Sequence, residues 1–167
     1  MITGMYQRLL QLSILIALAS SVAHAAGADA AWKQLLSLAG EWEGTAERKT
    51  SMVSYTVISG GTALMETMKA PAPEPGMVTI YHRDGDGLVA THYCSMGNQP
   101  RMRASGASPD GKSISFKFAD ITNLKPGGGH IKDLTVTFDD PNHFTQEWTS
   151  AFDGKEQSAV FKWTRKQ

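Results

Sequence analysis

From Trp42 to the C-terminus, apolar and polar side chains trade places every second position, as strands do when one face is buried and the other is wet. Trp42, Gly44 and Ala46 alternate with Glu41, Glu43, Thr45 and Glu47, and Val53, Tyr55 and Val57 repeat the pattern. Gly60-Gly61 then turns the chain into a strand from Thr62 to Met68. Met77 to His82 and Leu88 to Cys94 flank Asp84-Gly85-Asp86-Gly87, a hairpin signal because Gly and Asp tolerate the positive φ of tight turns. Further strands follow at Gln99 to Ala104, around Ile114, Phe116 and Phe118, around Leu134, Val136 and Phe138, at Phe144 to Trp148, and around Ala159, Phe161 and Trp163. Turn signals at Ser108 to Gly111, Gly127 to Gly129, Asp139 to Asn142 and Asp153-Gly154 separate them.

Ahead of the strands, Ala30 to Leu38 spaces Trp32, Leu35, Leu36 and Leu38 as one short helix would, with Gly40 as its stop. Three prolines between Ala70 and Gly76 cannot donate to a central ladder, so that stretch reads as a loop beside a barrel mouth. No second helix is long enough for a βαβ crossover. The expected fold is all-β, an antiparallel up-and-down β-barrel of about ten strands behind a short N-terminal helix. Closure removes the two exposed edges a flat sheet would leave, and a two-sheet sandwich is the competing arrangement.

The first 25 residues read differently. Met1 to Arg8 is positively charged, Leu9 to Ala19 is apolar apart from Gln11 and Ser13, and Ala23-His24-Ala25 offers a small-x-small cleavage pattern. That apolar run is too short to cross ~30 Å of hydrocarbon, so a secretory signal over 1–25 is expected rather than a membrane anchor. Residues 26–167 are then the barrel domain of a periplasmic or secreted protein.

Charge narrows the partners. In 167 residues, 16 Lys and Arg face 16 Asp and Glu, and a nucleic-acid binder needs a clustered basic surplus. One Cys excludes an internal disulfide and a four-Cys zinc module. Asp84 to Asp86 resembles the start of a calcium loop, but Ser95 stands where the twelfth-position Glu is required.

Gly40-x-Trp42 after a short helix, together with Arg165 at the end of the last strand, resembles the calycin barrels such as lipocalins and fatty-acid-binding proteins. The resemblance implies that Trp42 and Arg165 pack together, with Trp32, at a closed end. The stretch Tyr81 to Arg103, with Leu38 to Gly44 and Phe116 to Asn123, resembles a family of small exported bacterial lipocalin-like barrels of unknown function, distantly similar to nitrobindin-type barrels. His130 matches that family's pattern, whereas Lys132 departs from the His expected two residues on.

Several polar residues stand where alternation places apolar ones. Leu88, Ala90, His92 and Cys94 share a strand face, Glu66 lies between Leu64 and Met68, and His130 and Lys132 share parity with Leu134, Val136 and Phe138. Asn98, Gln99 and Arg101 lie just beyond Cys94. Buried polar groups without partners cost ~1–3 kcal/mol each, so these must form an internal network or meet a ligand. The candidate ligand-binding set is Glu66, His92, Cys94, Asn98, Gln99, Arg101 and His130, for a small, partly apolar molecule, with Met65, Met68, Met77, Met96 and Met102 available as adaptable lining. No cofactor is called for. Alternatives on the same scaffold are haem held by an inward His, a metal on His92 and Cys94 with His130 or Glu66, and a small enzyme using Cys94 as thiolate beside His92.

Overall fold

The computed structural model of the chain describes residues 27–46, 49–69 and 76–167. The expected signal segment and most of the proline-rich loop lie outside the described residues. Ten strands form one closed antiparallel barrel: β1 (Gly40–Ala46), β2 (Lys49–Ile58), β3 (Ala63–Lys69), β4 (Met77–Asp84), β5 (Gly87–Tyr93), β6 (Gln99–Ala104), β7 (Ser113–Thr122), β8 (His130–Asp140), β9 (His143–Phe152) and β10 (Lys155–Arg165). Each strand pairs with its sequence neighbours, and β1 pairs with β10 to close the ring. The period-two pattern therefore gave the barrel, and the sandwich is excluded.

Closure depends on a glycine. Gly44 faces Trp163 across β1 and β10, and a Cβ there would lie 2.3 Å from the Lys162 carbonyl oxygen and 2.7 Å from the Trp163 ring. Only a residue without a side chain lets the indole cross the seam.

Helix α1, residues 27–37, starts three positions earlier than the apolar spacing suggests and plugs the lower end of the barrel. Its Ala31, Trp32 and Leu35 join the core, and Leu38 follows them. Arg165 holds the helix in place: its guanidinium donates to the carbonyls of Ser37 (2.8 Å), Ala39 (2.9 Å) and Pro141 (3.2 Å), and lies 4.0 Å from the Trp42 ring centroid. Ser37 and Ala39 lie at the helix C-terminus, whose carbonyls lack internal donors, and Pro141 lies in the β8–β9 turn. The Trp42 indole donates to Leu38 O at 2.8 Å. The lower half above this lid is filled by aromatic rings, Trp42 edge-on to Phe144 at 4.7 Å and Phe144 against Trp163 at 6.2 Å. No helix among the described residues is long and apolar enough to cross a membrane.

Two bulges interrupt the alternation in the upper half. Arg101 pairs with Asp120 and Met102 with Phe118, leaving Ala119 as the extra residue of β7. Ile131 pairs with Ser150 and Asp133 with Thr149, leaving Lys132 as the extra residue of β8. A bulge adds one residue and so exchanges inner and outer faces beyond it.

Candidate functional site

A row of four polar residues crosses the inner wall, since Tyr55 pairs with Glu66, Glu66 with Thr79, and Thr79 with His92. All four are buried. They divide into two hydrogen-bonded groups with different consequences.

The deeper group is satisfied. Glu66 Oε2 accepts from Tyr81 Oη (2.5 Å), Tyr55 Oη (3.0 Å) and Gln146 Nε2 (3.1 Å), and Gln146 Oε1 accepts from the Trp163 indole at 2.9 Å. Burial pushes the Glu66 carboxyl up, and the three donors oppose that shift without cancelling it. Burial, and then the Glu66 charge, hold the Tyr55 and Tyr81 phenols well above their ordinary value. This network caps the aromatic lower half and takes up Glu66, one of the candidate ligand-binding residues.

Above it lies a chamber of about 170 Å³ lined by Met68, Met77, His92, Ile131, Trp148, Ser150, Ala159 and Phe161. The wall is almost entirely apolar, yet two of its lining residues each carry a buried nitrogen, His92 Nε2 and Trp148 Nε1, with no hydrogen-bond partner among the described residues. His92 Nδ1 is 2.9 Å from Thr79 Oγ1, and its ring lies 4.9 Å from the Trp148 ring, centroid to centroid. Burial lowers the His92 pKa to about 4, so the imidazole is neutral at pH 7. With Nδ1 engaged by Thr79, Nε2 is the ring atom left to meet a ligand.

The sequence candidates scatter over this geometry. His92 lines the chamber, and Glu66 sits beneath it in the plug. Cys94 has left the strand for the β5–β6 turn, where its amide donates to Asn98 O at 3.1 Å and its carbonyl accepts from the Gly97 amide. Asn98 is buried at the upper rim and donates to Gly129 O at 2.8 Å. Gln99 is taken up by Thr122 and Asn123 at the barrel surface, and Arg101 points outward onto Asp120 in a two-pronged ion pair of 2.6 and 2.8 Å. Lys132 is turned outward onto Glu156. His130 falls on the far side of the bulge from Leu134, so the shared parity does not carry over. Ile131 lines the chamber instead, and His130 packs on Phe118 at 5.2 Å. Ile131, Trp148, Ser150, Ala159 and Phe161 line the chamber but were absent from the candidate set, as was Thr79, which engages His92 Nδ1. Thr79 shares strand parity with Tyr81, and Trp148 with Phe144 and Gln146, so those two were recoverable from alternation.

No described group of three or more His, Cys, Asp or Glu residues is placed to hold a metal ion. For haem, an unpartnered His92 Nε2 suits an axial ligand, but a porphyrin is several times larger than the chamber, so the residues as arranged do not fit the group. No family model matches the chain, and no curated protein matches it. The closed ten-stranded antiparallel barrel, with Trp42 meeting Arg165, is consistent with a calycin-like barrel.

Proposed function

We propose that the protein is an exported, calycin-type barrel that binds one small, largely apolar molecule in its upper chamber, with His92 and Trp148 meeting that molecule's polar atom. The observation that carries the reading is the pair of unpartnered buried nitrogens in an otherwise apolar wall. Leaving two such groups unmet costs ~1–3 kcal/mol each, a deficit that a ligand removes. Size sets the class. An engineered apolar cavity of about 150 Å³ takes benzene, so a chamber of about 170 Å³ suits a single substituted ring or a short branched chain. Chemistry refines it. The indole N–H only donates, and the neutral imidazole donates or accepts according to its tautomer. A hydroxyl serves both nitrogens when His92 Nε2 is bare, and a carbonyl serves both when Nε2 carries the proton. A neutral phenol or small ketone is favoured over a carboxylate, because none of the described lining residues is a cation.

p-Cresol is the probe. Titration should shift the Trp148 indole N–H resonance, assigned with Trp148→Phe, and leave the Trp42 and Trp163 indoles in place. Binding of p-cresol with no change at Trp148 would reject the site. Haemin added to the purified protein should give no sharpened Soret band; a sharp band lost in His92→Ala would move the assignment to a haem protein. Export is proposed from the sequence of residues 1–25, and mass spectrometry of protein from the host should find a mature chain starting at Ala26.

A further inference from the structure

The β7–β8 ladder stops short of the barrel's upper end. β7 and β8 pair only from Ser113 to Lys117 against Asp133 to Thr137, although β7 runs on to Thr122 and β8 begins at His130. Above Lys117 the two strands lean on their other neighbours, β6 and β9, and a bulge at Ala119 on one side and Lys132 on the other marks where they part. Bulges bend strands and end pairing, which is what a gap in a barrel requires. Phe118 keeps the inward parity of its partner Met102, yet it is 38% exposed, and from β8 the His130 ring lies against it at 5.2 Å.

One side-chain bond spans the top of this gap. Asn98, from the β5–β6 turn, donates Nδ2 to Gly129 O at the end of the β7–β8 connection. Asn98 Oδ1 and His130 Nδ1 at the same seam are buried without partners among the described residues. Gly129 leaves room for this closure: a Cβ there would meet the Phe152 ring at 2.9 Å and Met96 sulfur at 3.2 Å. Next along the chain from His130 is Ile131, a chamber wall residue, so the seam borders the chamber.

We infer that the β7–β8 seam is the passage by which a ligand enters and leaves the chamber, with the Asn98–Gly129 hydrogen bond as its latch and Phe118 and His130 as its rim. The inference rests on the proposed chamber, but its first readout needs no ligand. Breaking one backbone-directed hydrogen bond at the rim frees the connection to swing, and passage through the seam speeds up while the chamber itself is unchanged. The orphaned Asn98 oxygen and His130 nitrogen give a passing hydroxyl or amide a polar stepping point.

The readout is solvent hydrogen exchange at the Trp148 indole N–H in the full mature protein. Asn98→Ala should accelerate it about fivefold to tenfold, the scale of one lost hydrogen bond, with the Trp42 and Trp163 indoles unmoved. Acceleration of all three indoles would report general destabilisation; Phe118→Ala, at an exposed position, then carries the test and should accelerate Trp148 alone. In the same variants, 4-fluorophenol followed by fluorine NMR should associate and dissociate faster by a common factor at constant Kd. If 4-fluorophenol does not bind the wild-type protein, the chamber reading fails while the indole result still decides the seam. Trp148 exchange unaltered in both variants would overturn the inference and assign entry to the barrel mouth beside Met68 and Met77.

Discussion

Glu66 and His92 stand in one cross-strand row, two strands apart, and burial pushes both toward their neutral forms. The consequences for stability have opposite sign. His92 titrates at about 4 in the fold against 6.5 for an ordinary histidine, so its contribution is complete above pH 6.5 and is lost as pH falls toward 4. That gap corresponds to about 3 kcal/mol, and urea unfolding should show the wild type losing roughly that much relative to His92→Phe between the two pH values. Glu66 is raised, so the fold favours its protonated form. Its contribution is complete below the ordinary carboxylate range and declines as pH rises through the folded-state pKa. Glu66→Gln should flatten that decline. Glu66→Leu, which strands the Tyr55, Tyr81 and Gln146 donors, should lower stability by about 3 kcal/mol or more at every pH.

At the scale of elements, the lower end shows how much the alternation reveals. Trp42, Arg165 and the helix were legible because each lies where strand parity and helical spacing hold without interruption. Arg165→Ala removes three hydrogen bonds to carbonyls and the contact over the Trp42 indole, and should cost about 2–3 kcal/mol in chemical denaturation. Arg165→Lys should recover only part, since an ammonium cannot spread donors over separate carbonyls while stacking on a ring. The upper end was less legible for a physical reason. One extra residue in β7 and one in β8 exchange the faces of both strands, and nothing in the composition of Phe118-Ala119-Asp120 or His130-Ile131-Lys132 announces a bulge. Parity counted through Lys132 therefore put His130 inside and hid Ile131. Arg101 misled differently: it lies in the candidate block, but β6 alternates faithfully and turns it onto Asp120 outside.

For the whole molecule, the barrel is two half-barrels of different character. The lower is filled with aromatic rings and sealed by α1, and the Glu66 network closes it from above. The upper keeps a chamber of about 170 Å³ with two nitrogens unmet. A narrow barrel can be filled throughout by side chains, whereas this one leaves a recess over a tightly packed base, an arrangement compatible with the proposed binding role. Under the proposed function, those two nitrogens recognise a polar atom on a small apolar ligand. Calorimetric titration of p-cresol and toluene, matched in ring and methyl group, into wild type and His92→Phe tests it most directly. The hydroxyl should strengthen binding to the wild-type protein by about tenfold, the scale of one well-made hydrogen bond, and by much less in the variant. Equal affinities for the two compounds in the wild-type protein, or a hydroxyl gain that survives the loss of His92, would contradict the account.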